Sequence, residues 1–295
     1  MKTTQLRGSI VPVPTPFRDG KVDETALQNL INWQIESGAH GISVTGTTGE
    51  PSSLTQEERM RVHAVAKEVI AGRVPFMPGT GSNNFAEGVM YSRNAEKIGA
   101  DALLLIAPYY NRPSQEGLIR YFTSIASQVG IPVILYNIPG RTAVNIEPDT
   151  VARVVEKCPN VVGVKESNKD FEHINRLLHR MGREFLVYSG IELLCFPILA
   201  IGGAGFLSAT ANLLPRETAN VYNLVTQGKW EEARELHYHM LPLNDAIFYE
   251  INPVPIKTGL GWMGKISFEV RLPLCEMSPA NQERLRSVMK SYHLI

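Results

Sequence analysis

Apolar and β-branched residues gather in eight short runs: Ser9 to Pro14, Gly41 to Gly46, Pro75 to Pro78, Ala102 to Ala107, Val133 to Ile138, Val161 to Val164, Phe185 to Tyr188 and Ala204 to Ser208. Between most of them the apolar positions change to helical spacing. Leu27, Leu30, Ile31 and Ile35 repeat in this way before a stop at Gly38, and Leu118, Tyr121, Phe122 and Ile125 do so after Pro113 and Ser114. Thr55 and Glu58 read as a capping box ahead of Val62, Val65 and Val69, with Gly72 as terminator. Asp170, Phe171 and Glu172 read as a further helix start. Strands alternating with helices require a parallel sheet. Eight such units over residues 9–208 match an α/β fold of the (β/α)₈ TIM-barrel type, with an open doubly wound sheet as the other arrangement of the same pattern.

After Leu214 the strand signals fade, and Pro215 to Gly228, Lys229 to Ile247 and Pro279 to Tyr292 carry helical patterns. The expected organisation is therefore a barrel over residues 1–213 with a C-terminal helical extension over residues 214–295. No linker rich in Pro, Gly or Ser separates the two, which predicts that the extension packs on the barrel. A chain of 295 residues is long enough for one large barrel or two ordinary domains.

Charge narrows the partners. The net charge is +0 and basic residues are unclustered, so neither nucleic acid nor an anionic membrane surface is expected. Apolar runs are strand-sized, short of the ~20 residues of a membrane helix. Residues 1–7 lead into the first strand-like run without a secretory pattern. Cys158, Cys195 and Cys275 are odd in number and far apart, as expected of buried free thiols in a reducing cytoplasm.

The chemistry is concentrated at strand ends, where barrel enzymes place reacting groups. Lys165 closes the run Val161-Val162-Gly163-Val164, and Tyr136 stands in a run about thirty residues upstream, a spacing typical of α/β units. Burial disfavours an ammonium, and a neutral amine can attack a carbonyl to form a Schiff base. Thr47, Thr48 and Glu50 follow the second run, Tyr109, Tyr110 and Arg112 the fourth, Arg141 the fifth, and Ser189 and Gly190 the seventh. Together they supply an amine, phenols for proton transfer, donors for a carboxylate and a guanidinium, as a carbonyl-condensing enzyme on an oxo acid requires. Taken singly each has a plainer reading. A lone lysine often snorkels at the surface, Gly46 to Gly49 can be only a turn, Tyr136 a core tyrosine, and Tyr109 and Tyr110 interface aromatics. His237 and His239, two apart on a helix, point to different faces and do not form a metal pair.

Five longer motifs favour the chemical reading. Gly46-Thr47-Thr48-Gly49-Glu50, Pro108 to Gly117 (PYYNRPSQEG), Tyr136 to Thr142 (YNIPGRT), Gly163-Val164-Lys165-Glu166 and Asn252 to Lys257 (NPVPIK) resemble the class I pyruvate-dependent family of dihydrodipicolinate synthase and N-acetylneuraminate lyase. The resemblance implies that Lys165 forms the imine with pyruvate and that Tyr136 carries protons, relayed through Thr47 to Tyr110, which reaches a neighbouring subunit. It implies that Thr48 holds the pyruvate carboxylate, that Arg141 binds the carboxylate of an incoming small acid aldehyde, and that Gly190 and Leu207 present main-chain carbonyls to the site. It further implies a homotetramer with no cofactor and no metal, since the lysine imine is itself the electron sink. Arg141 points to aspartate semialdehyde as second substrate, whereas Ile191-Glu192 after Gly190 and Ala143 after Thr142 depart from the usual synthase pattern. A catabolic 2-oxo-acid aldolase or hydratase on the same lysine is the alternative, and a barrel that binds an oxo acid without turnover is a third reading.

Overall fold

The computed structural model describes residues 5–295, which form two compact units: residues 5–8 with 75–207, and residues 9–74 with 208–295. The chain enters the latter through β1 (Gly8–Pro12), a small antiparallel pair of β2 (Phe17–Arg18) and β3 (Lys21–Val22), α1 (Glu24–Glu36), β4 (Gly41–Ser43) and α2 (Gln56–Ile70). β1 and β4 run parallel with Ile10 opposite Gly41 and Pro12 opposite Ser43. Every residue of both is buried, which is why they read as continuous apolar runs and not as alternating ones. Leu27, Leu30 and Ile31 bury the inner face of α1. The capping box of α2 is present: Thr55 Oγ1 accepts from the Glu58 N–H and Glu58 Oε2 accepts from the Thr55 N–H, satisfying two otherwise unpartnered donors.

The first unit continues with α3 (Phe85–Lys97), β5 (Leu103–Ile106), α4 (Gln115–Ala126), β6 (Val133–Asn137), α5 (Pro139–Thr142), α6 (Pro148–Lys157), β7 (Val161–Glu166), α7 (Phe171–Met181), β8 (Leu186–Ser189), α8 (Cys195–Ala200) and β9 (Gly205–Phe206). These strands form a parallel sheet in the order β9, β8, β7, β6, β5. The register sets Tyr136 beside Lys165 and Lys165 beside Tyr188. The expected strand from Pro75 to Pro78 is not a regular strand. Its backbone still reaches Leu104, which donates to the Pro78 carbonyl and accepts from the Thr80 N–H, both at 2.9 Å. Pro75 and Pro78 have no N–H to donate, so no regular ladder forms and isolated bridges remain, among them the one between Gly79 and Leu104.

The chain then returns to the second unit as α9 (Pro215–Thr226), α10 (Trp230–His239), α11 (Leu241–Ala246), α12 (Val254–Trp262) and α13 (Pro279–Ser291). The single helix expected from Lys229 to Ile247 is broken at Met240, because Pro242 cannot donate within a continuous helix and its ring clashes with the preceding turn. The sequence pattern also missed α12. Seven of its nine residues are buried, so it carries no amphipathic signature. Cys158 and Cys195 are buried free thiols as expected, but Cys275 is exposed. No helix among the described residues is long and apolar enough to cross a membrane.

Candidate active site

Strand register brings the two principal candidates together. Tyr136 and Lys165 are directly paired on β6 and β7, with 3% and 6% of their surface exposed, and the Lys165 Nζ lies 4.3 Å from the centre of the Tyr136 ring. A buried amine beside a phenol, at the C-terminal end of parallel strands, is equipped for carbonyl attack followed by proton transfer.

Gly190 closes over the lysine from the end of β8. A Cβ at this position would lie 2.6 Å from Lys165 Cε and 2.0 Å from Ser167 Oγ, so the close approach requires glycine. The Gly190 N–H donates to the Glu166 carbonyl at 2.8 Å, and its own carbonyl accepts from Ser167 Oγ at 3.1 Å. Leu207 is buried and donates its N–H to the Ser189 carbonyl at 2.8 Å. Cys195 lies close enough to feel the Lys165 charge, but burial foremost, and then Glu192, push its thiol well above the usual range and leave it a poor nucleophile.

Arg141 sits on α5, the turn that follows β6. Its side chain has an exposed surface, yet the surrounding protein lowers its pKa by stripping hydration, with the Tyr136 phenol acting in the opposite direction. Tyr110 is 91% exposed and has left-handed backbone (φ 69°), so within this chain it is not enclosed with Lys165.

Behind the lysine lies a polar network that sequence reading did not identify. Glu166, 1% exposed, accepts from both directions: Asn137 Nδ2 at 2.9 and 3.0 Å, the Asn168 N–H at 2.8 Å, and His173 Nε2 at 3.3 Å. Asn137 in turn accepts from the Ile146 N–H at 3.0 Å and donates to Asn145 Oδ1 at 2.7 Å. For His173, burial is the largest single influence and lowers the pKa, but the hydrogen bond and charge of Glu166, with Glu147 and Asp170, outweigh it and the net shift is upward. Asn137 and Glu166 each follow a principal candidate and lie in register with one another, so the network braces the ends of the two strands that carry Tyr136 and Lys165. The only sequence signal for it was the polar residue directly after each candidate.

The second unit holds Thr47 and Thr48 in a single 3₁₀ turn, Thr47–Gly49, with Thr48 buried. The turn is bracketed by non-glycine residues in left-handed backbone, Thr45 at φ 53° and Glu50 at φ 51°. Each such conformation costs about 1–3 kcal/mol and persists only where surrounding contacts impose it. Those contacts are present. Thr45 Oγ1 bonds His63 Nε2 at 2.7 Å, and Thr15 Oγ1 donates to the Gly49 carbonyl at 2.7 Å. Asn252 Nδ2 donates to Thr48 Oγ1 at 3.1 Å, and Lys257 Nζ donates to Glu50 Oε1 at 2.5 Å.

A buried strand-end lysine paired with a tyrosine in a parallel α/β sheet is the arrangement that Schiff-base chemistry on an α/β barrel requires. Residues 5–292 match the model of the dihydrodipicolinate synthetase family, and the chain belongs to that family. It is 49% identical over 290 residues to a 4-hydroxy-tetrahydrodipicolinate synthase of Thermodesulfovibrio yellowstonii, covering 98% of this chain and 99% of the relative. A synthase of the same name from Thermus thermophilus is 47% identical over 291 residues, covering 98% and 97%. The crystal structure of dihydrodipicolinate synthase from Aquifex aeolicus superposes with a TM-score of 0.96 at 42% identity, covering 98% of each chain. The fold class is the α/β barrel with C-terminal helices that the alternating pattern predicted.

Proposed function

We propose that this chain is a Schiff-base synthase that condenses pyruvate with L-aspartate 4-semialdehyde to give 4-hydroxy-tetrahydrodipicolinate. The observation that carries the proposal is the buried Lys165, in register with Tyr136 and 4.3 Å from its ring. The names of the similar proteins favour condensation over the catabolic aldolase or hydratase alternative. The amine of Lys165 adds to the pyruvate carbonyl and water leaves, giving an imine. Loss of a methyl proton gives an enamine, whose carbon attacks the aldehyde, and the new alkoxide takes up a proton. The amino group of the semialdehyde then adds to the imine carbon and releases Lys165, closing the ring.

Tyr136 is the proton carrier in this scheme, with Thr47 and Tyr110 completing a relay. Thr48 holds the pyruvate carboxylate, and Arg141 receives the carboxylate of the aldehyde, for which a planar guanidinium is well matched. Gly190 and Leu207 line the site through their main chains. The exposure of Tyr110 supports a neighbouring subunit whose site this phenol completes, and the reading takes the assembly as a homotetramer. The reading includes a cytoplasmic location and a helical extension over residues 214–295 that packs on the barrel.

Borohydride reduction in the presence of pyruvate tests the central step. The expected result is a three-carbon acid adduct on Lys165, absent from Lys165→Ala. An adduct on another lysine, or none, overturns the proposal.

A further inference from the structure

The C-terminal helical region fastens the Thr47–Gly49 turn through two buried contacts. One is the ion pair of Lys257 and Glu50, 0% and 1% exposed, with the ammonium also 4.1 Å from the centre of the Phe17 ring. Burial, the foremost influence, lowers the Lys257 pKa, and the charge of Glu50 opposes it. The remaining oxygen of Glu50 accepts from the Arg271 N–H at 3.3 Å. Arg271 also binds Glu58 through two hydrogen bonds, at 2.6 and 2.7 Å, and donates to the Ser53 carbonyl at 2.8 Å. The stretch from Glu50 to Glu58 is thereby held from one side by residues of the last third of the chain.

The second contact has a direction. Asn252 Nδ2 donates to Thr48 Oγ1, so the threonine oxygen is the acceptor and its own proton remains for another acceptor. A hydroxyl arranged in this way suits an anion. Were the neighbouring group an acceptor, it would take that proton itself.

We propose that Asn252 and Lys257 are positioning residues for pyruvate: Asn252 turns the Thr48 hydroxyl proton toward the pyruvate carboxylate, and the Lys257–Glu50 pair holds the strained turn that presents it. The inference rests on the assignment of Thr48 as the carboxylate-binding residue. Both residues are buried and act through the turn, so substitution changes the pyruvate requirement while the chemistry at Lys165 survives.

The test is the pyruvate concentration that gives half-maximal borohydride trapping on Lys165, measured with the steady-state constants for both substrates. Asn252→Asp is nearly isosteric and replaces the donor with an acceptor. The expected result is an at least tenfold higher half-saturating pyruvate concentration, with full trapping at saturation and an unchanged KM for the aldehyde. The defect should shrink as pH falls and the new carboxyl becomes protonated, a dependence that mere loosening of the fold does not produce. Lys257→Met should raise the pyruvate requirement in the same selective way. If that variant does not fold, the double replacement Glu50→Gln, Lys257→Met, which leaves no buried charge, is measured in its place. Pyruvate saturation equal to that of the unaltered protein in either folded variant, or an aldehyde KM that rises in parallel, overturns the inference. Absence of any Lys165 adduct in the unaltered protein would instead overturn the parent reading of the site, independently of these variants.

Discussion

Gly190→Ala is a one-carbon perturbation aimed at Lys165, the amine proposed to form the imine. The added Cβ would sit 2.6 Å from Lys165 Cε and 3.3 Å from Lys165 Cγ, about 0.8 Å short of ordinary van der Waals contact at the nearer atom. Ser167 can rotate away, losing its hydrogen bond to the Gly190 carbonyl at about 1 kcal/mol. The Gly190 backbone cannot retreat without breaking its 2.8 Å hydrogen bond to Glu166, so the lysine stem must move. Overpacking of this size costs about 1–3 kcal/mol of stability. Displacing a reacting atom by about 1 Å costs on the order of 100-fold in rate. The expected result is a modest fall in melting temperature with a fall of about 100-fold in kcat/KM, and a matching fall in the rate of imine trapping by borohydride. Gly140→Ala, where an added Cβ meets no atom within 4 Å, is the control and should leave both rates unchanged. Gly190→Ala with trapping at the unaltered rate would refute the argument, because the lysine would then not depend on the approach of that backbone.

His173 bound to Glu166 has a raised pKa, so its stabilising contribution is complete below the unfolded value of about 6.5 and is lost as pH rises through the higher folded value. The melting-temperature advantage of the unaltered protein over His173→Gln should therefore be larger near pH 6 than near pH 9, and a pH-independent difference would contradict the assignment. Arg141→Ala should raise the aldehyde KM about ten- to hundredfold, the loss of a charge-assisted hydrogen bond, while leaving pyruvate trapping intact. Equal loss of both would show that Arg141 supports the imine or the fold.

The parallel strands were legible because they are buried on both faces, and the amphipathic helices because one face is not. Lys165 and Tyr136 stood out as reactive groups attached to apolar runs. Features that depend on a partner distant in sequence left little local trace. Glu166, Asn137 and His173 are buried polar residues whose reason lies in one another, and single-residue patterns do not show which polar side chains meet. Helix α12 was missed for the opposite reason: burial on nearly all sides removes the periodicity by which a helix is recognised. The hairpin Phe17–Arg18 with Lys21–Val22 has only two residues per strand, too few for alternation to register.

The separation of Glu50 from Lys257 by 207 residues has a consequence for the newly made chain. At translation speeds of roughly 5–20 residues per second, the carboxylate is made about 10–40 s before its ammonium partner. During that interval Glu50 lacks its counterion and Thr48 lacks the Asn252 amide, and the turn has its contacts with Thr15 and His63 to hold it. Residues 5–8 and 75–207, by contrast, form a unit whose whole chain has been made before Asn252 is translated. The nascent protein thus acquires the chain around Lys165 first, whereas the threonine turn, although encoded near the start, gains the last of its contacts only when the ribosome has almost finished.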